Sequence, residues 1–530
     1  MSTLGYRAVN LAHLLTKTAL RLPDQIAVVS GVVRLSWRTL DQSVSTLASA
    51  LRGRGVQPGD CILIHSTNHV EYIQAMFAVW RVGAVMAPTN VRLTPADVLG
   101  IAKTCKPTAV LCHRDFRDHA AAVTAELEVP AGVLWIGEDL ANPDAVSAQQ
   151  GDPTFPDHPV SDGDAAWYFF TSGTSGAPKA AILTHDQMGF VVTNHLCDLM
   201  PATTSKDVSL VVAPLSHGAG IHVLPQVAAG AATVLTESVK LDGAEVWELV
   251  ERERVSNMFT VPTILKLLTE HPDAQTRDHS SLRYVIYAGA PMYTADQQHA
   301  RQMLGDVLVQ YYGLGEVTGN ITVLPPHLHD HSRPTGVDIG TCGYPRTGMQ
   351  VSIQDDAGQE VPPGEQGEIC VAGPAVFAGY LNNDAANDAS FRNGWFRTGD
   401  LGLLDTHGFL YVTGRASDMY ISGGSNVYPR DIEEKLLLHS SLSEVAVLGM
   451  PDPVWGEVGV AICVAANGST LNVSELQDWL GPRLARYKMP RHFLVWDELP
   501  KSGYGKIVKR TIRDQLLTAA WPPKPAEVLS

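Results

Sequence analysis

The apolar positions of the chain follow two periods. Leu11, Leu14, Leu15 and Ala19 are spaced as one face of a helix, and so are Leu40, Val44, Leu47, Ala48 and Leu51, whose run ends at Gly53 and Gly55. Short apolar or β-branched runs occupy 61–66, 108–112, 132–136, 165–170, 210–213, 232–235, 257–260, 284–287 and 307–310. Helical patterns such as 72–82 and 243–254 lie between most of them, and Pro88-Thr89-Asn90 reads as a turn. Strands alternating with helices predict parallel sheets covered by helices, with ligands at the carboxyl ends of the strands. Beyond residue 360 the texture changes. Val361 to Gly367 is a turn cluster, and 368–372 and 409–413 predict a small β-rich subdomain. Gly414 to Asp418 then separates this body from a C-terminal piece of about 110 residues, near the usual domain size.

Composition narrows the class. A chain of 530 residues is longer than one hydrophobic core supports, so several domains are expected. Hydrophobic content of 45% with 18% charged residues is that of a globular protein. With 39 Lys+Arg against 55 Asp+Glu, the net charge of −16 argues against a nucleic acid or an anionic membrane as partner, while leaving room for local basic pockets. The seven cysteines are scattered and never spaced C-x-x-C, which suits a reducing cytoplasm without disulfides or structural zinc. The N-terminus does not read as a secretory leader, and no 18-residue window is uninterruptedly apolar, so a soluble protein without an integral membrane segment is expected.

The candidate chemistry centres on Tyr168 to His185, where an apolar run meets a loop of Thr171, Ser172, Gly173, Thr174, Ser175 and Gly176 ending near Lys179. Small residues leave backbone N–H groups open, glycines let them converge, and the hydroxyls surround one cation, which is how a chain cradles polyphosphate. Lys179 stands between Pro178 and Ala180, so this is not a Walker loop, and Ser175 is followed directly by Gly176, so it is not a nucleophile elbow. Further strand ends carry Gly289-Ala290-Pro291 and Tyr312-Gly313-Leu314-Gly315-Glu316, an aromatic, flexible glycines and a carboxylate suited to a purine slot with a magnesium ligand. Asp400 in a Gly-flanked turn suits a ribose diol, Arg415 offers a permanent bidentate cation, and Lys506 lies on a Gly loop near the end. His327, His329 and His331 alternate like metal ligands, but with Pro325 and Pro326 beside them and no acid cluster they read as a solvated loop.

Taken together, TSGTSGAPK, YGLGE, WFRTGDLG, GRASDMYISGGSNVYPRDIEE and PKSGYGK, with GEICVAGPAVFAGYLN and APLSHGAG, resemble the segments of the adenylate-forming superfamily, acyl-CoA synthetase branch, along essentially the whole chain. The resemblance implies an α/β fold: a large N-terminal domain (1–414) of two helix-covered sheets plus a small β-barrel, a hinge (415–418) with Ser417 at its pivot, and a small, mobile α+β C-terminal domain (419–530). It also implies ATP, Mg2+ and coenzyme A. Thr171 to Lys179 would hold the phosphates, Glu316 with Thr171 the metal, Tyr312, Gly313 and Gly289 to Pro291 the adenine, and Asp400 and Arg415 the ribose and phosphate. Lys506 would be the catalytic cation for adenylation, and rotation about the hinge would bring Ser422, Gly423 and Gly424 to line the CoA path.

Two departures stand out. Gly315 replaces the family's Thr or Ser, for which Thr318 is a candidate substitute, and Ser417 replaces the usual pivot residue. The acyl pocket of such enzymes is lined from the segment around His217, here His217, Gly218 and Ala219, then Tyr287 and Ala288, then Gly313, Leu314 and Gly315. Small residues without added charge favour an apolar aryl or medium-chain aliphatic acid. His217 is open to gating the pocket, touching the acid or a structural role. Three functions from different classes follow: a stand-alone acyl-CoA ligase, which is favoured, an enzyme loading a carrier protein in trans, and a non-catalytic adenylate-binding relative. A homodimer is compatible with each.

Overall fold

The computed structural model describes residues 8–171, 178–290, 292–329, 339–415, 417–422, 424–466, 469–501, 507–519 and 521. Two helix-covered sheets make the large N-terminal part. The first has nine strands in the order Tyr344–Pro345, Thr322–Leu324, Leu308–Tyr312, Tyr284–Tyr287, Asn257–Thr260, Val208–Val211, Ala232–Leu235, Ile26–Ser30, Val33–Ser36. Its six strands from Leu308–Tyr312 to Ile26–Ser30 run parallel, and the pairings beyond them at both edges are antiparallel. The second sheet runs Val133–Ile136, Ala109–His113, Cys61–His65, Val85–Thr89, Ala165–Thr171, Lys179–Thr184 and is parallel except for its last pair.

Why these segments are strands is plain from burial. Cys61–His65 and Val85–Thr89 are buried at every position, as a strand covered on both faces must be. The turn expected at 88–90 is corrected here: Pro88 and Thr89 finish a strand, with Pro88 paired to Ile64 and Thr89 joined to His65 Nδ1 at 2.7 Å. A proline read as punctuation was instead tolerated by a ladder position.

The helix Trp37–Gly53 is capped by Ser36, which accepts from the Thr39 N–H, and buries Leu40, Val44, Leu47, Ala48 and Leu51, the face read from the sequence. The helix Val70–Arg81 is apolar on nearly every side because it lies between layers. Its Arg81 is buried but satisfied by Asp41, Asp157, Ser45 and Thr16. One apolar cluster joins the two sheets, drawing Ile64 and Met86 from one and Val211, Ile286 and Val309 from the other around Trp80 and Trp167. Each such large side chain contributes about 1.5–3 kcal/mol by leaving water.

A third, antiparallel sheet is built from Gln350–Gln354, Gly367–Ala372, Phe391–Arg392, Trp395–Leu404 and Leu410–Arg415. The smaller C-terminal domain has its own sheet, with Tyr420–Ser422, Ser425–Val427, Leu442–Asp452, Gly456–Ala465 and His492–Val495, and apolar clusters made only of residues from Tyr420 onward. Among the described residues no helix is long and apolar enough to cross a membrane.

Candidate active site

The hairpin Ala165–Thr171/Lys179–Thr184 pairs Thr171 with Lys179, so the two ends of the hydroxyl-rich loop are held side by side. The loop residues Ser172, Gly173, Thr174, Ser175 and Gly176 lie outside the described residues, as do Pro291, Gly423 and Lys506. Glu316 is buried beside this hairpin. Its Oε1 accepts from Thr171 Oγ1 at 3.2 Å and from the Tyr380 hydroxyl at 2.9 Å, and its carbonyl accepts from the Phe377 N–H at 2.8 Å. Lys179 Nζ lies 5.1 Å from the Tyr380 ring centroid. Burial, then the charge of Glu316, pushes the Tyr380 phenol up, so it remains a donor.

A second constellation adjoins the first. Tyr312 donates to Asp400 Oδ2 at 2.6 Å, and Arg415 Nε lies 3.1 Å from Asp400 Oδ1, the two being register partners across neighbouring strands. Burial and the Asp400 carboxylate hold the Tyr312 phenol well above its ordinary range, while Asp400 raises the Arg415 guanidinium. Only three residues separate Tyr312, bonded to Asp400, from Glu316, bonded to Thr171, so the two constellations are neighbours along the chain.

Between them runs the turn 313–316. A Cβ on Gly313 would sit 2.3 Å from the Gly319 backbone, so only glycine fits. A Cβ on Gly315 would lie 2.5 Å from the Phe169 ring and 3.2 Å from Thr171 Cγ2. The departure at Gly315 therefore has a physical cause in Phe169. Thr318, the candidate substitute, is buried in a left-handed conformation (φ 50°), and its hydroxyl donates to the Val317 carbonyl at 2.6 Å.

On the other side of Phe169 begins an apolar region. The His217 ring meets Phe169 edge-on at 5.1 Å, and its Nδ1 is 2.9 Å from Ser216 Oγ. Gly218 opens the helix Gly218–Ala229, and a Cβ there would press to 2.7 Å on the Phe259 ring. Ala219, Ala288 and Leu314 belong to or pack on the cluster between the sheets. Gly289 follows with φ 87°, a backbone that favours glycine, and Ala290 comes next.

Tyr287 is corrected as a pocket-lining side chain. Strand neighbours face opposite ways, and its phenol lies in the cluster on the far face, bonded to Gln297 and to Gln310 at 3.0 Å. His329, expected in a solvated loop, is buried, with Nε2 3.2 Å from the Tyr287 hydroxyl and Nδ1 3.0 Å from the Pro325 carbonyl, whereas His327 is exposed. Ser417 is exposed, 3.5 Å from Asp418 Oδ1. Ser422 and Gly424 belong to the hairpin Tyr420–Ser422/Ser425–Val427.

Sequence reasoning did not single out Tyr380, Phe169, Phe259 or His222, which stacks on Phe259 at 4.5 Å. Tyr380 lay inside a quoted segment, but nothing local ties it to Glu316, 64 residues away. No cluster of three or more His, Cys, Asp or Glu able to hold a metal occurs among the described residues. Glu316 nevertheless suits a hard cation that takes most of its ligands from phosphate and water, because both hydroxyl donors sit on Oε1 and leave Oε2 without a donor among the described residues.

The sequence matches two family models, AMP-binding enzyme over residues 15–381 and AMP-binding enzyme C-terminal domain over residues 431–506. It is 37% identical to a feruloyl-CoA synthase of an Amycolatopsis species over 499 residues, covering 93% of this chain and 96% of that one. It is 34% identical to an indoleacetate–CoA ligase of Aromatoleum aromaticum, covering 94% of each. Among solved structures, the o-succinylbenzoate CoA synthetase of Bacillus subtilis in complex with its acyl-adenylate intermediate superposes with a TM-score of 0.83 at 29% identity, covering 95% of this chain and 97% of that one.

Proposed function

Because the chain belongs to the AMP-binding enzyme family, we propose that it is a stand-alone, AMP-forming carboxylate–CoA ligase acting on an acid with an apolar, most simply aryl, body. The single observation that carries this reading is the convergence of Thr171, Lys179, Glu316, Tyr312, Asp400 and Arg415, drawn from three distant stretches of chain, on one place.

Attack of a carboxylate on the α-phosphate of ATP brings two anions together, so the protein must supply position and positive charge rather than a covalent partner. Asp400, with one oxygen toward Tyr312 and the other toward Arg415, is oriented to receive the ribose hydroxyls. Arg415 and Lys179 supply cations on the phosphate side, and the hydroxyl-rich loop supplies N–H and O–H donors. Magnesium held by Glu316, with Thr171 beside it, would neutralise charge on the departing pyrophosphate. Phe169 and His217 stand where nucleotide and acyl regions meet, which suits them to position the carboxylate and keep water from the adenylate. Lys506 would bridge carboxylate and α-phosphate in this step. CoA would then attack the acyl-adenylate through the path lined by Ser422, Gly423 and Gly424 after rotation at 415–418. The aryl names of the two similar relatives support a ring-bearing acid.

The test is a panel of carboxylic acids assayed for AMP release with and without CoA. CoA-dependent thioester and AMP from aryl acids is expected. Acid-dependent pyrophosphate exchange without any CoA thioester would favour a carrier-loading enzyme, and no exchange at all a non-catalytic relative.

A further inference from the structure

Behind Phe259 and Tyr311 the acyl region does not end in hydrocarbon. His222, one helical turn beyond Gly218, stacks on Phe259 and lies 5.9 Å from Tyr311 between ring centroids. His195 follows 4.7 Å from His222, and Arg346 Nη2 sits 3.2 Å from His195 Nδ1. The Arg346 N–H donates to the Ile321 carbonyl at 3.0 Å, which ties it to the chain next to Asn320. The four side chains are 5%, 0%, 1% and 0% exposed for His222, His195, Arg346 and Asn320. Yet both ring nitrogens of His222, Nε2 of His195, Nε and Nη1 of Arg346 and both amide atoms of Asn320 lack a hydrogen-bond partner among the described residues. An unpaired buried polar atom is costly, and those of His222, His195 and Arg346, which touch one another in series, need something that brings polar atoms of its own. His195 also opens a π-helical turn, His195–Leu199, a geometry that recurs at functional sites.

Charge selects what completes the cluster. Burial leaves both histidines neutral, and Arg346 faces Asp198 at 3.9 Å, so the charges present already cancel. A second carboxylate would add an uncompensated buried charge, whereas a neutral oxygen can accept from Arg346 and from the Asn320 amide. We propose that His195, His222, Asn320 and Arg346 form the far end of the acyl pocket, and that the enzyme selects acids whose apolar body ends in a neutral hydrogen-bond-accepting oxygen: a phenolic hydroxyl, an ether or a ketone. This deepens the ligase reading above and rests on it.

The test compares matched acids for CoA-dependent AMP release: 3-phenylpropenoic acid with its 4-hydroxy form, and octanoic acid with 7-oxooctanoic acid. The wild-type kcat/KM is expected to favour the oxygen-bearing member of at least one pair by about tenfold or more, because a site built to bond an oxygen rejects the analogue without it. His222→Phe and Asn320→Leu should each bring that ratio within about threefold of one. The wild-type comparison needs no variant, so misfolding of either cannot rescue the idea. Equal use of both members of each pair by the wild type, or variants that keep the wild-type ratio, overturns the inference alone. Release of AMP from none of the acids overturns the ligase reading and this inference with it.

Discussion

Gly315 and Phe169 are one structural choice written at two positions. A threonine at 315 would drive its Cβ into the Phe169 ring at 2.5 Å, and overpacking of this kind costs about 1–3 kcal/mol. Gly315→Thr should therefore lower acid-dependent pyrophosphate exchange about tenfold or more and lower the melting temperature, and adding Phe169→Val should restore most of the loss. A single variant as stable and active as the wild type would contradict the pairing. Tyr312 is a second residue with a defined task. Removing its bond to the Asp400 carboxylate takes away about 1.5–3 kcal/mol, so Tyr312→Phe should raise KM for ATP roughly tenfold or more, measured by steady-state kinetics across ATP concentrations. At this scale the sequence named Thr171, Lys179, Glu316, Asp400 and Arg415, because each stands in a distinctive local spelling. It missed Tyr380, His222 and Arg346, whose roles are set by partners far away in the chain and leave no local trace.

Elements were legible where periodicity had one cause. The helix Trp37–Gly53 buries one clean stripe, and strands 232–235, 257–260 and 284–287 match the runs read from the sequence residue for residue. The reading failed where two causes competed. Pro88 looked like a turn but joins a ladder, and Tyr287 shares a strand end with Ala288 while facing the other way. The helix Pro429–Leu437 illustrates docking that no pattern announces. Arg430 Nη1 donates to the Val412 carbonyl at 2.7 Å, and its Nη2 lies 3.7 Å from Oε1 of Glu434, whose Oε2 accepts from the Thr294 N–H at 3.3 Å. Burial raises the Glu434 carboxyl, so losing its arginine would leave a poorly solvated acid. Arg430→Ala should cost about 2–4 kcal/mol and loosen the C-terminal domain, seen as a lower urea midpoint and earlier proteolytic cleavage near residue 416. An unchanged midpoint would remove this contact from the account.

For the whole molecule, buried neutral histidines set the acid limit. Burial lowers His65 and His222 to about 3 and His185 to about 4, against 6.5 when free. The unfolded chain thus binds more protons between those values, and stability that is complete above pH 6.5 is lost as pH falls through this window. Each histidine removes about 1.4 kcal/mol per pH unit there. The urea midpoint should drop between pH 7 and pH 5.5, and His65→Gln should flatten the drop; a pH-independent midpoint would contradict the burial of these rings. The same scale holds the central claim, that remote parts of the chain serve one adenylate in two successive steps. The most direct measurement is of the two half-reactions separately in Lys506→Ala. Acid-dependent pyrophosphate exchange should fall at least about a hundredfold, because the cation proposed to face the developing charge would be lost, while thioester formation from a supplied acyl-adenylate and CoA stays within a few-fold of wild type. Equal loss in both half-reactions would contradict it.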